Sequence, residues 1–125
     1  MGPLSSDQRH ALRERLSEER AQVERQLASL VRTFDQIVDA ADLEPPDDEH
    51  DPEGTTAYER AQVVSLADAA RARLLDLERA LAAVDGDDYG VCERCGRPVG
   101  LARLEAVPEA RRCVTCASAG SGRGS

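Results

Sequence analysis

Aromatic side chains are nearly absent from this chain of 125 residues: Phe34, Tyr58 and Tyr89 are all it has, and there is no tryptophan. Large cores draw heavily on aromatic area, so a bulky globular domain is not expected. No stretch approaches the ~18 apolar residues of a membrane span. Residues 1–20 are mostly polar and charged, unlike a secretory signal. The reading is therefore cytoplasmic, with no membrane partner. Histidine is scarce too, with His10 and His50 far from each other and from the cysteines. No nucleophile–base constellation or phosphate loop occurs, so enzymatic activity is not expected. The net charge of −8 opposes non-specific attraction to nucleic-acid phosphates.

Cysteine is confined to one place. The four that occur form Cys92-x2-Cys95, then seventeen residues, then Cys113-x2-Cys116. Two such pairs offer four sulfurs to one tetrahedral metal, which is the pattern of a structural zinc site. Gly96 directly after Cys95 suits the tight knuckle such a pair requires. Disulfides would use the same residues, but a reducing cytoplasm argues against them. With four cysteine ligands there is no open position for water or substrate, so Zn2+ is expected to be structural and to supply folding energy to a segment too small for its own core. Between the pairs, the stretch from Arg97 to Glu105 reads as a short hairpin or loop packed on the knuckles.

The first two-thirds of the chain is rich in Ala, Leu, Arg and Glu, with an apolar repeat of seven. Leu16, Val23, Leu30 and Ile37 recur at that spacing, and Leu27 and Phe34 follow four residues after their neighbours. This predicts a helix from about Ser6 to Ala41. Pro45-Pro46 cannot continue it. A second seam runs through Val63, Ala70, Leu77 and Val84, with Ala67, Leu74 and Leu81 filling in. Thr56-x-x-Glu59 resembles a capping box at its start, and Asp85-Gly86 reads as its stop. Two seams joined by a proline-containing turn pair most economically with each other, although pairing with a second chain would also bury them. The expected fold is mainly α: an antiparallel coiled-coil hairpin over 6–86, with helices of roughly 45 Å, followed by a four-cysteine zinc finger over 87–116. Segments 1–5 and 117–125 read as flexible ends. A monomer is expected.

The hairpin's tip, near 42–56, is acidic. Asp42, Glu44, Asp47, Asp48, Glu49, Asp51 and Glu53 are offset only by His50. Most such runs are solvated loops. The spacing and glycine placement do not match a calcium-binding EF-hand. A set of acids meant to reach a partner's metal or cationic side chains remains the alternative, and residue physics does not choose between it and a solvated loop.

The stretch Asp87-Asp88-Tyr89-Gly90-Val91-Cys92-Glu93-Arg94-Cys95-Gly96, then Gly100-Leu101-Ala102-Arg103-Leu104-Glu105-Ala106-x-Pro108 and Cys113-x-x-Cys116, resembles the DksA/TraR zinc-finger family. The resemblance implies a coiled coil projecting from a zinc-finger part. It also implies RNA polymerase as partner, entry through the secondary channel, and modulation of initiation by acids at the tip, without sequence-specific DNA binding. The family's tip pattern, Asp-x-x-Asp-x-Ala, is met here only by Asp51-Pro52-Glu53-Gly54-Thr55-Thr56. Asp51 is the candidate tip acid, with Asp48, Glu49 and Glu53 as substitutes. Basic positions that the family uses toward ppGpp fall here on Asp76, Val107 and Ala117, so the resemblance implies action without ppGpp; Arg111 and Arg112 are the nearby cations that would compensate. Arg94, Arg97 and Arg103 are candidate contact residues at the zinc end. Two other functions compete: a nucleic-acid-binding zinc ribbon using these arginines, and a zinc-stapled helical adaptor for another protein. The overall charge and the lack of aromatic stacking groups weigh against the ribbon.

Overall fold

The computed structural model describes residues 4–43 and 52–121, with side chains over 4–40 and 56–119. Among these described residues, four helices occur in order: α1 (Ser6–Leu43), α2 (Pro52–Ala83), α3 (Leu101–Ala106) and α4 (Val114–Ser121). The fold is mainly α, with two long helices ahead of a small cysteine-bearing segment. Among the described residues the only β pairing is an isolated antiparallel bridge between Val91 and Pro98.

α1 opens with a capping box that the heptad pattern does not reveal. Ser5 Oγ accepts from the Gln8 N–H at 3.1 Å, and Gln8 Oε1 accepts from the Ser5 N–H at 2.8 Å. Two donors at the helix start are thereby satisfied reciprocally. At α2 the expected capping box at Thr56 is not the start, because the helix already runs from Pro52. Proline suits a first turn, where its fixed φ is helical and its missing N–H has no intrahelical partner to lose. α2 ends at Ala83, and the Gly86 N–H bonds back to the Ala83 carbonyl at 2.8 Å, close to the expected stop.

The chain forms two compact units, one comprising 1–20 and 75–125, the other 21–74. In the first, Leu12, Leu16, Leu77 and Val84 are buried between α1 and α2, together with Tyr89, Cys92, Val99 and Leu104 of the cysteine segment. The pairing is antiparallel: Arg9 reaches Val84 and Gly86, Arg13 reaches Asp85, and Arg20 reaches Glu78. From Arg9 to Arg20 the partners move back from 84–86 to Glu78, which is the mark of a hairpin. Leu12 lies on the same seam, four residues ahead of Leu16 and outside the sevenfold repeat.

The second unit takes about 34 Å of helix from each of α1 and α2. Val23, Ala67 and Ala70 are buried there, and Leu27, Leu30, Phe34, Ile37, Val63 and Leu74 are half-buried. Leu30 and Phe34 of α1 line one shallow apolar groove with Val63 and Ala67 of α2. The predicted seam is thus the buried face in each unit.

Both described ends carry structure. Leu4 packs on the finger, its Cδ1 3.3 Å from where a Cβ would stand on Gly90. Beyond Cys116, α4 continues to Ser121, where a flexible tail from Ala117 is expected from the sequence. The helix there has a local cause. Once Cys113 is anchored, the Ala117 N–H bonds to the Cys113 carbonyl at 2.9 Å, and the small residues that follow propagate the turn.

Candidate metal centre

Each cysteine pair is held by its own turn. In the first, the Gly96 N–H returns to the Cys92 carbonyl at 3.0 Å, and the Cys92 N–H reaches the Arg97 carbonyl at 2.8 Å. Gly96 has φ +75, a left-handed conformation that a side chain disfavours, so glycine after Cys95 is required by the turn. The Val99 N–H donates to the Gly90 carbonyl at 2.8 Å and completes a minimal hairpin. That hairpin stops at Gly100. Where the sequence suggests a hairpin or loop through Glu105, residues 101–106 are helix α3, which buries Leu104 against the unit's core. The second pair uses a different device: Cys113 precedes α4 and Cys116 sits in its first turn.

Two links bring the pairs together. The Glu93 N–H donates to the Arg111 carbonyl at 2.8 Å, and Arg112 Nε donates to Glu93 Oε1 at 3.0 Å. The four sulfurs of Cys92, Cys95, Cys113 and Cys116 all lie within 4.8 Å of one another, with Cys95 and Cys113 Sγ 3.8 Å apart. A zinc ion with bonds of about 2.3 Å to four sulfurs has tetrahedral edges of about 3.8 Å. The donor set fits that ion. As thiols, Cys92 and Cys116 differ sharply. Backbone N–H groups of Cys113 and then Cys95 hold Cys92 down to about 6, whereas bonding to the Cys113 sulfur and then burial push Cys116 up to about 12. Sulfurs this close cannot all ionise without a cation among them, and a divalent metal supplies that charge.

Beneath the site, Tyr89 is buried and its hydroxyl donates to the Pro108 carbonyl at 2.9 Å. Burial, and then the nearby Glu109 carboxylate, push its phenol up to about 12. This bond ties the entry of the finger to the turn ahead of the second cysteine pair.

Residues 87–119 match the prokaryotic dksA/traR C4-type zinc finger. Over these residues the chain carries a zinc finger of the DksA/TraR type. Its metal is a structural zinc. Among curated relatives, the RNA polymerase-binding transcription factor DksA of Escherichia coli is 38% identical over 68 residues, covering 53% of this chain and 45% of that protein. The protein of that name from Haemophilus influenzae is 41% identical over 49 residues, covering 39% and 34% of the two chains. These matches therefore span less than half the length of either relative. The structure of transcription factor DksA2 from Pseudomonas aeruginosa matches 96% of this chain and 88% of its own, with TM-score 0.77 and 21% identity, a likeness of fold.

The other residues singled out from the sequence divide three ways. Asp48, Glu49 and Asp51 lie outside the described residues, and Glu53 falls in the first turn of α2, where only the backbone is described. Arg94 and Arg97 are exposed. Arg103 is half-buried and donates to the Arg112 carbonyl at 2.7 Å, so it braces the finger from inside. Asp76 lies 3.5 Å from Arg111 and 3.7 Å from Arg79. Among the described residues, no helix is long and apolar enough to cross a membrane.

Proposed function

We propose that this protein binds RNA polymerase through its secondary channel and modulates transcription initiation. Cys92, Cys95, Cys113 and Cys116 hold its structural zinc. The observation that carries the proposal is the 68-residue match to proteins named as RNA polymerase-binding transcription factors. The shared fold with DksA2 supports it, since this chain pairs a helical hairpin with a four-cysteine finger. Within the proposal, the acids between α1 and α2 act on the polymerase. Asp51 is the leading residue, and Asp48, Glu49 and Glu53 are its substitutes. They approach the catalytic centre and alter Mg2+ coordination or pair with mobile cationic groups. No chemistry by the protein itself is required; it shifts populations of polymerase–promoter states. The cytoplasm is the compartment this role demands.

Action without ppGpp is part of the proposal. A highly charged anion needs guanidinium or ammonium donors. Asp76 brings a carboxylate to one of the positions in question, and Arg111, the compensating cation, lies within reach of Asp76 and of Glu93 at 3.8 Å. Arg112 is likewise paired with Glu93. These carboxylates lower the positive potential that an anion would meet. The same pairings argue against a nucleic-acid-binding ribbon.

Multi-round transcription from a ribosomal RNA promoter, with polymerase from the same source, tests the reading. Wild-type protein is expected to change output, and Asp51→Asn to weaken that change while still binding polymerase. Absence of both binding and effect rejects the proposal. Titration of labelled ppGpp onto polymerase is expected to give the same affinity with and without the protein; a rise overturns ppGpp independence.

A further inference from the structure

Zinc joins the two cysteine pairs to each other, and bonds such as those from Cys92 to Arg97 and from Glu93 to Arg111 close the finger on itself. None of these fixes the finger to the helices beneath it. Apart from an exposed ion pair between Arg111 and Asp76 of α2 at 3.5 Å, the polar attachment is made by α1. α2 has no basic residue in its last turn, so its terminal carbonyls, where the helix gathers negative charge, receive no cation from their own helix. Arg9 provides one from 75 residues away. Its Nη1 donates to the Val84 carbonyl at 2.7 Å and to the Gly86 carbonyl at 2.9 Å.

Further along α1, Arg15 Nη1 donates to the Glu105 carbonyl in the last turn of α3 at 2.6 Å. Its Nε is held 3.1 Å from Glu19, one turn on, which aims the guanidinium. The two arginines thus grip the chain at two points, one before the first cysteine pair and one between the pairs. Arg13, between them, pairs with Asp85. Leu4 adds apolar contact at Gly90, in a cavity of about 210 Å3 that Arg9, Tyr89 and Leu104 also line.

We propose that Arg9 and Arg15 are positioning residues that set the orientation of the zinc finger on the ends of α1 and α2, independently of the zinc, which sets the finger's internal fold. The division of labour follows from connectivity. The zinc ligands all lie within residues 92–116, whereas both guanidiniums come from outside that segment and bond to main-chain carbonyls, which depend on backbone placement alone. The inference does not rest on polymerase binding, because every readout uses the full chain by itself.

The test is residual dipolar coupling on zinc-loaded full-length protein, comparing amides of 91–99 and 101–106 with those of 9–20 and 77–83. One alignment frame is expected to fit both sets in the wild type. In the Arg9→Met, Arg15→Met double variant the finger amides should leave that frame. The Leu104 and Val107 amides should exchange about tenfold faster, while zinc affinity, read by competition with a chromophoric chelator, stays the same. Arg9→Lys with Arg15→Lys keeps both cations and should restore the frame in part. Persistence of one frame in the methionine variant overturns the proposal. A fall in zinc affinity that tracks loss of the frame also overturns it, since the arginines would then belong to the finger's own fold. If the double variant does not fold, Arg15→Met alone is measured by the same couplings of 101–106: departure from the frame supports the proposal, and persistence overturns it.

Discussion

The two compact units bury their shared seam very differently. In the unit containing the finger, the buried positions include Leu12, Leu16, Leu77, Val84, Tyr89 and Leu104, and a metal centre and arginine caps add to them. In the unit of residues 21–74, the buried set among the described residues is Val23, Ala67 and Ala70, with the larger Leu27, Leu30, Phe34 and Leu74 only half-covered. Val31 and Val64 there are more than two-fifths exposed. A two-helix pair has no third layer to cover its seam, whereas the finger provides one for the other unit. The same heptad pattern therefore carries much more stabilisation where the zinc segment covers it.

The largest effect should come from the metal. Chelation, or Cys113→Ser, removes a binding free energy of order 10 kcal/mol from the finger. Amide signals of residues 90–116 should collapse while far-ultraviolet circular dichroism keeps most of its helical signal. Complete loss of helicity would show that both units depend on zinc. Next, Leu77→Ala should cost about 3 kcal/mol, because its side chain is fully buried and leaves a cavity. Leu30→Ala, on the half-covered part of the same seam, should cost about 1 kcal/mol. Equal losses in urea denaturation would remove the contrast between the units.

Tyr89→Phe should cost about 1 kcal/mol by deleting the bond to Pro108. Its pH signature is specific. The folded chain holds the phenol proton more tightly than the unfolded chain, about 12 against 10. Stability from this group is therefore full below pH 10 and declines as pH rises toward 12. The phenylalanine variant should lack that component of the alkaline decline. The smallest effect is expected at Arg20→Gln, since both members of the pair with Glu78 are two-fifths exposed. Such pairs contribute about 0.5 kcal/mol or less, and screening by salt should erase the difference in melting temperature.

Much of this is legible in the residues. The spacing of Cys92, Cys95, Cys113 and Cys116 announces a four-sulfur site, because a tetrahedral ion constrains which separations can converge. The sevenfold recurrence of Leu16 and Val23, or Ala70 and Leu77, announces the buried face, because helical periodicity is a local property of the chain. α3 escapes the pattern because Leu101–Ala106 is too short for a periodic signal, and only Leu104 is buried from it. The start of α2 is masked because an apparent capping box at Thr56 competes with a proline already suited to a first turn.

By itself, then, the sequence determined the helical hairpin, the four-sulfur cluster and the glycine at the first knuckle. Each depends on spacings of a few residues or on a conformation only glycine readily adopts. The tertiary structure alone decided that α1 reaches across to end α2 and α3, that Tyr89 bonds to Pro108, and that the finger covers one part of the seam. Those contacts join residues 19 to 90 positions apart. Main-chain carbonyls accept them whatever side chains they carry, so no residue pattern marks them before the chain is folded.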